Sequence, residues 1–136
     1  MKPKAVCILF LILQGLLLNA QTGWTWRNPL PQGNPLHSIS FLRDYGMAVG
    51  EQGTAIHTRD GGATWVSTPL GVKTYSLVVH PQDPNVVIAG TSGSGVFMTS
   101  DGGLSWRAAN NGLGDRFVQT LALDQTGCYS LYAGTD

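Results

Sequence analysis

The chain has 136 residues, eight basic and eight acidic, and its 12% charged content is about half the roughly 25% of an average soluble domain. A formal charge of zero offers no electrostatic footprint for nucleic acid. Eighteen glycines and seven prolines, set among scattered Val, Ile, Thr and aromatic residues, exclude a long-helix architecture and leave an all-β class of short strands and tight turns.

Residues 1–20 read as a secretory signal peptide: Lys2 and Lys4 precede an apolar run over 5–18 that ends at the small residues Asn19 and Ala20. Gln14 and Gly15 interrupt a stretch already shorter than the ~20 residues of a spanning helix, so no stable membrane span is expected after cleavage. Cleavage removes both lysines and Cys7, leaving six basic residues against eight acidic ones, a formal charge of −2. Cys128 is then the single cysteine, which excludes an internal disulfide, and its place beside the apolar residues 129–133 suits a buried small side chain. Export to the cell surface, periplasm or medium is the expected destination.

Beyond the leader, Trp24-Thr25-Trp26-Arg27-Asn28-Pro29 reads as an isolated outer strand. Alternating stretches at 36–41, 74–80 and 117–123 read as inner strands, each followed by a second strand ending in glycine: Ala48-Val49-Gly50, Ile88-Ala89-Gly90 and Tyr132-Ala133-Gly134. The first two are followed in turn by Thr58-Arg59-Asp60-Gly61-Gly62-Ala63-Thr64-Trp65 and Thr99-Ser100-Asp101-Gly102-Gly103-Leu104-Ser105-Trp106, repeated at a spacing of 41 residues. That period suits four short strands and their turns, one blade of a β-propeller.

The predicted architecture is an incomplete all-β propeller. It has about two complete four-stranded antiparallel blades, at 36–69 and 74–110, a partial blade at 117–136 and an outer closing strand at 24–29. The 116 residues of 21–136 hold about 2.8 periods, against the four or more blades of a propeller. On this arithmetic they read as the N-terminal part of a longer propeller, with an unpaired edge that invites edge-to-edge self-association.

In the repeated motif the Asp carboxylate is suited to accept N–H groups of the turn that follows it, and the paired glycines supply positive φ. Its hydroxyls bridge the two sides of the turn, while Trp65 and Trp106 bury a large surface that pins each hairpin. These residues resemble the Asp-box, or BNR, repeat of sialidases, xyloglucanase-like glycosidases, sorting-receptor ectodomains and the photosystem II stability and assembly factor family. The wording Asn28-Pro29-Leu30-Pro31-Gln32-Gly33-Asn34, with Ala48-Val49-Gly50-Glu51-Gln52-Gly53-Thr54 before the box, is most similar to the assembly-factor-like group, many of whose members are secreted bacterial proteins.

The resemblance implies that the boxes lie between the third and fourth strands, away from the ligand face. Thr58, Asp60, Gly62, Thr64, Trp65, Thr99, Asp101, Gly103, Ser105 and Trp106 are then structural. The opposite loops carry the candidate binding residues Glu51, Gln52, Lys73, Asp115 and Arg116, from which no catalytic triad or metal cluster assembles. His37, His57 and His80 lack metal-site spacing and read as strand or strand-end residues with ordinary hydrogen bonds. No catalytic residue, metal or cofactor is assigned.

The expected function is a secreted, non-catalytic module binding a protein or glycan partner. The alternative is the N-terminal part of a sialidase-like or xyloglucanase-like glycoside hydrolase whose catalytic residues lie outside these 136 positions. Phe41-Leu42-Arg43-Asp44, where a sialidase resemblance would call for an Arg-Ile-Pro-like segment, weighs against the sialidase branch.

Overall fold

The computed structural model describes residues 33–124 and 129–136. The predicted leader at 1–20, the outer closing strand at 24–29 and Cys128 lie outside the described residues.

Ten strands build three antiparallel sheets among the described residues. The first blade is β1 (Leu36–Leu42), β2 (Tyr45–Gly50), β3 (Ala55–Thr58) and β4 (Val66–Ser67), hydrogen-bonded in chain order. The second repeats that order with β5 (Thr74–Val79), β6 (Val87–Thr91), β7 (Val96–Thr99) and β8 (Arg107–Ala108). Strands β9 (Val118–Leu123) and β10 (Leu131–Thr135) pair as a third, two-stranded sheet. The inner strands β1, β5 and β9 contact one another in sequence, which sets the sheets side by side as propeller blades.

Strand alternation explains the packing. Tyr45, Met47, Val49 and Ala55 of the first blade meet Leu77, Val79, Val87 and Ala89 of the second in one buried cluster, against which Leu42, Leu70 and Trp106 pack. Ile88, between Val87 and Ala89, points the other way and joins Val96 and Val118 in the core against the third sheet. A central strand apolar on both faces therefore serves two blade interfaces. On the outer flanks Ile39, Phe41, Leu131 and Tyr132 are exposed.

The repeated glycines have a steric cause. Each inner strand shifts register near its start: Leu36 pairs with Gly50 and Ser38 with Val49; Thr74 with Thr91 and Ser76 with Gly90; Val118 with Thr135 and Thr120 with Gly134. One residue per blade is left unpaired, namely His37, Tyr75 and Gln119. A Cβ on Gly90 would stand 2.5 Å from Ser76 Oγ, one on Gly134 2.5 Å from Thr120 Cγ2, and one on Gly50 would overlap the Pro35 carbonyl oxygen. Glycine thus seats the bulged strand, and the bulge bends the chain and re-aims the extra side chain.

Candidate functional site

The meander places two kinds of loop at opposite ends of each blade. The β1–β2 and β3–β4 turns share one end, where the Gly61 N–H donates to the Asp44 carbonyl at 2.9 Å. The β2–β3 turn and the β4–β5 link share the other, where the Leu70 N–H donates to the Gly53 carbonyl at 3.0 Å.

The first end holds the two Asp boxes, which are nearly superimposable in their bonding. Thr58 Oγ1 donates to Asp60 Oδ1 at 2.7 Å and accepts from the Gly62 N–H at 3.0 Å; Thr99 does the same with Asp101 at 2.6 Å and Gly103 at 3.0 Å. Asp60 Oδ1 accepts from the Thr64 N–H at 2.8 Å and Oδ2 from the Thr64 hydroxyl at 2.5 Å, matched by Asp101 with Ser105 at 2.9 and 2.5 Å. Gly62 and Gly103 carry φ of 92° and 89°, where an L side chain is strained. Trp65 meets Phe41 edge-on at 6.0 Å, and Trp106 packs on the interblade core.

These bonds favour the charged carboxylates. The Thr64 hydroxyl is the main cause holding Asp60 down at about 2, and the Ser105 hydroxyl likewise lowers Asp101 from the ordinary 3.8. A glycosidase acid requires a raised pKa, so neither group is suited to that task. Because the folded-state pKa lies below the ordinary one, box stabilisation is present above pH about 4 and is lost as pH falls through about 2. Thermal melts followed by circular dichroism should show Tm falling below about pH 4, and Asp60→Asn with Asp101→Asn should melt lower at neutral pH and show a shallower acid slope. Parallel profiles would contradict this role.

The opposite end gathers polar and aromatic groups around the bulges. Glu51 Oε1 lies 2.7 Å from Lys73 Nζ and 3.2 Å from His37 Nε2, joining the β2–β3 turn, the β4–β5 link and the start of β1. His37 Nδ1 lies 3.0 Å from the Thr74 carbonyl oxygen. The His37 ring stacks on Tyr75 at 5.5 Å with 17° between planes, while Lys73 Nζ stands 5.0 Å from the centre of the Tyr75 ring. A cleft of about 350 Å³ is lined by Tyr75 and Gln119, and Gln119 Nε2 donates to Asp136 Oδ1. The Lys73 hydrogen bond is the chief cause lowering the Glu51 pKa, and the same bond raises that of Lys73.

Of the candidate binding residues, the fold brings Glu51 and Lys73 together. Gln52 is exposed in the same turn at φ 53°. Asp115 and Arg116 belong to the link before β9; Asp115 Oδ1 accepts from the Phe117 N–H at 2.8 Å, and the Arg116 carbonyl accepts from Gly93 and Gly95. Neither is bonded to Glu51 or Lys73. His37, Tyr75 and Gln119 were absent from the expected binding set. Their shared place beside each repeat glycine was the available signal.

His57 is buried and stacks on Tyr45, and His80 accepts from the Gln82 N–H at 3.3 Å, both strand or strand-end roles. A second cleft, of about 360 Å³, lies at the box end between the blades, lined by Leu42, Arg43, Asp44, Tyr45, Pro81, Gln82 and Pro84. Among the described residues no three His, Cys, Asp or Glu groups could hold a metal, and no helix is long and apolar enough to cross a membrane.

Residues 13–129 match the model of a protein family described as photosynthesis system II assembly factor YCF48. The uncharacterized protein YkuO of Bacillus subtilis (strain 168) is 29% identical over 84 residues, 62% of this chain and 28% of the relative. A GH74 enzyme of Niastella koreensis has a similar fold, with a TM-score of 0.57 at 17% identity over 73% of this chain and 19% of its own. A structure of YCF48 bound to D1 peptide gives a TM-score of 0.56 at 24% identity over 79% of this chain and 40% of its own. These structural likenesses show the fold, and the chain spans less than a third of the curated relative.

Proposed function

We propose that this chain, which belongs to the photosynthesis system II assembly factor YCF48 family, is part of an exported, non-catalytic propeller whose bulge-bearing face binds an extended segment of a protein partner. The observation that carries the proposal is the recurrence of a bulge near the start of each inner strand, which delivers His37, Tyr75 and Gln119 from successive strands to one end of the blades. Bulges recur where a strand must aim a side chain at a ligand. The row offers a half-buried aromatic ring, an imidazole and an amide, groups that combine stacking with hydrogen bonding to a backbone. A related YCF48 of the same fold is bound to D1 peptide, which supports a peptide as the ligand class. Export rests on the leader pattern of residues 1–20.

An array of unstructured peptides and oligosaccharides probed with the 136-residue chain tests the proposal. Peptides should be retained, and Tyr75→Ala should weaken the strongest by about tenfold, the loss expected when a ring of this size leaves a contact. Arg43→Ala, at the box end, should leave affinity unchanged. Retention of oligosaccharides alone, or equal loss in the two variants, would reject a peptide site on this face.

A further inference from the structure

We infer that Glu51 is the positioning residue of this face, orienting the groups that meet the ligand without meeting it itself; the inference rests on the peptide-binding reading above. Its Oε1 is shared by Lys73 Nζ at 2.7 Å and His37 Nε2 at 3.2 Å, so one oxygen holds a cation from the link into the second blade and an imidazole from the first. Both of those groups bear on the Tyr75 ring, His37 by stacking at 5.5 Å and Lys73 at 5.0 Å from its centre. The second nitrogen of His37 is fixed at 3.0 Å from the Thr74 carbonyl. The ring is therefore gripped from both sides, by the Glu51 carboxylate at one nitrogen and the Thr74 carbonyl at the other.

Glu51 is itself held by its turn. Its N–H donates to the Pro35 carbonyl at 2.9 Å and its carbonyl accepts from the Thr54 N–H at 2.9 Å, while Gln52 and Gly53 close the turn at φ of 53° and 76°. A Cβ on Gly53 would lie 2.5 Å from Gly71 backbone atoms, so this turn is pressed against the β4–β5 link that carries Lys73. The turn is thus anchored from behind, and Oε1 is occupied in front by Lys73 and His37. Supporting bonds of this kind hold contact groups in a productive geometry.

Two readouts on the 136-residue chain separate positioning from contact: the ring resonances of Tyr75 by NMR without ligand, and the affinity of an array-selected peptide. Glu51→Ala should shift the Tyr75 ring resonances, as the His37 ring loses its stacking position, and weaken the peptide about tenfold, the scale of a lost charge-assisted hydrogen bond. Glu51→Gln keeps an acceptor for Lys73 and should restore most of both. If Glu51→Ala weakens the peptide while the Tyr75 resonances stay in place, Glu51 is a contact residue and the inference fails. It fails equally if the resonances move and affinity does not. If Glu51→Ala unfolds the chain, Glu51→Asp, which keeps the charge but shortens its reach to Lys73 and His37, supplies the same comparison with the same two readings. Should no peptide bind this face at all, the functional reading falls, whereas the ring resonances still report whether Glu51 orders it.

Discussion

Replacing Met47 by alanine is expected to cost about 2–5 kcal/mol, the range for truncating a buried Met, Leu or Ile. Met47 is fully buried on β2 and belongs to the cluster that joins the first two blades. It also lies under the second Asp box, since a Cβ on Gly103 would come within 2.6 Å of Met47 Cε. Collapse around the gap is restricted, because one wall is a turn fixed by the Thr99–Asp101–Ser105 bonds and the others are paired strands. Chemical denaturation followed by circular dichroism measures the loss. Ile39→Ala, on the exposed flank, should change stability by less than about 0.5 kcal/mol. A loss under about 1 kcal/mol for Met47→Ala would mean that the blades do not share this core.

The second large effect is expected at Gly50. Its φ of −171° lies outside the left-handed region that favours glycine, so the expected cost rests on the room around its Cβ position. The added methyl group would overlap the Pro35 carbonyl oxygen and stand 2.8 Å from Leu36 Cα, and no rotation of a methyl relieves a clash with backbone. Overpacking of this kind costs about 1–3 kcal/mol, and displacement of Pro35 also weakens its 2.9 Å bond from the Glu51 N–H, worth roughly another 1 kcal/mol. Gly114→Ala is the control, since nothing lies within 4 Å of its Cβ position. Equal stability of the two variants by denaturation would remove the steric account of the repeated glycine.

The parts of the fold legible in the sequence are those encoded locally. Each Asp box carries its donors, acceptors and positive-φ glycines within one eight-residue stretch, so its hydrogen bonds follow from residue types and spacing alone. The continuous apolar run Val87, Ile88 and Ala89 likewise suits a strand buried on both faces. The bulges were less visible because they are events of pairing: nothing in Leu36-His37-Ser38 says that His37 will be skipped until β2 lies alongside.

The candidate binding residues divide in the same way. Glu51 and Lys73 read from the sequence as loop charges, but their ion pair depends on the β2–β3 turn meeting the β4–β5 link, a contact made only by the folded blades. His37 reads as an ordinary strand histidine until Thr74 and Glu51 are brought to its two nitrogens. Tyr75 and Gln119 carry no motif at all, and what singles them out is their shared register position.

Peptide binding on the bulge-bearing face is tested most directly by an NMR footprint of an array-selected peptide on the isotope-labelled chain. The largest shift changes are expected on His37, Tyr75 and Gln119 and their strand neighbours, with the resonances of Asp60 and Asp101 unmoved. Changes centred on the box end, around Arg43, Asp44 and Gln82, would contradict it and place the ligand in the cleft between the blade turns.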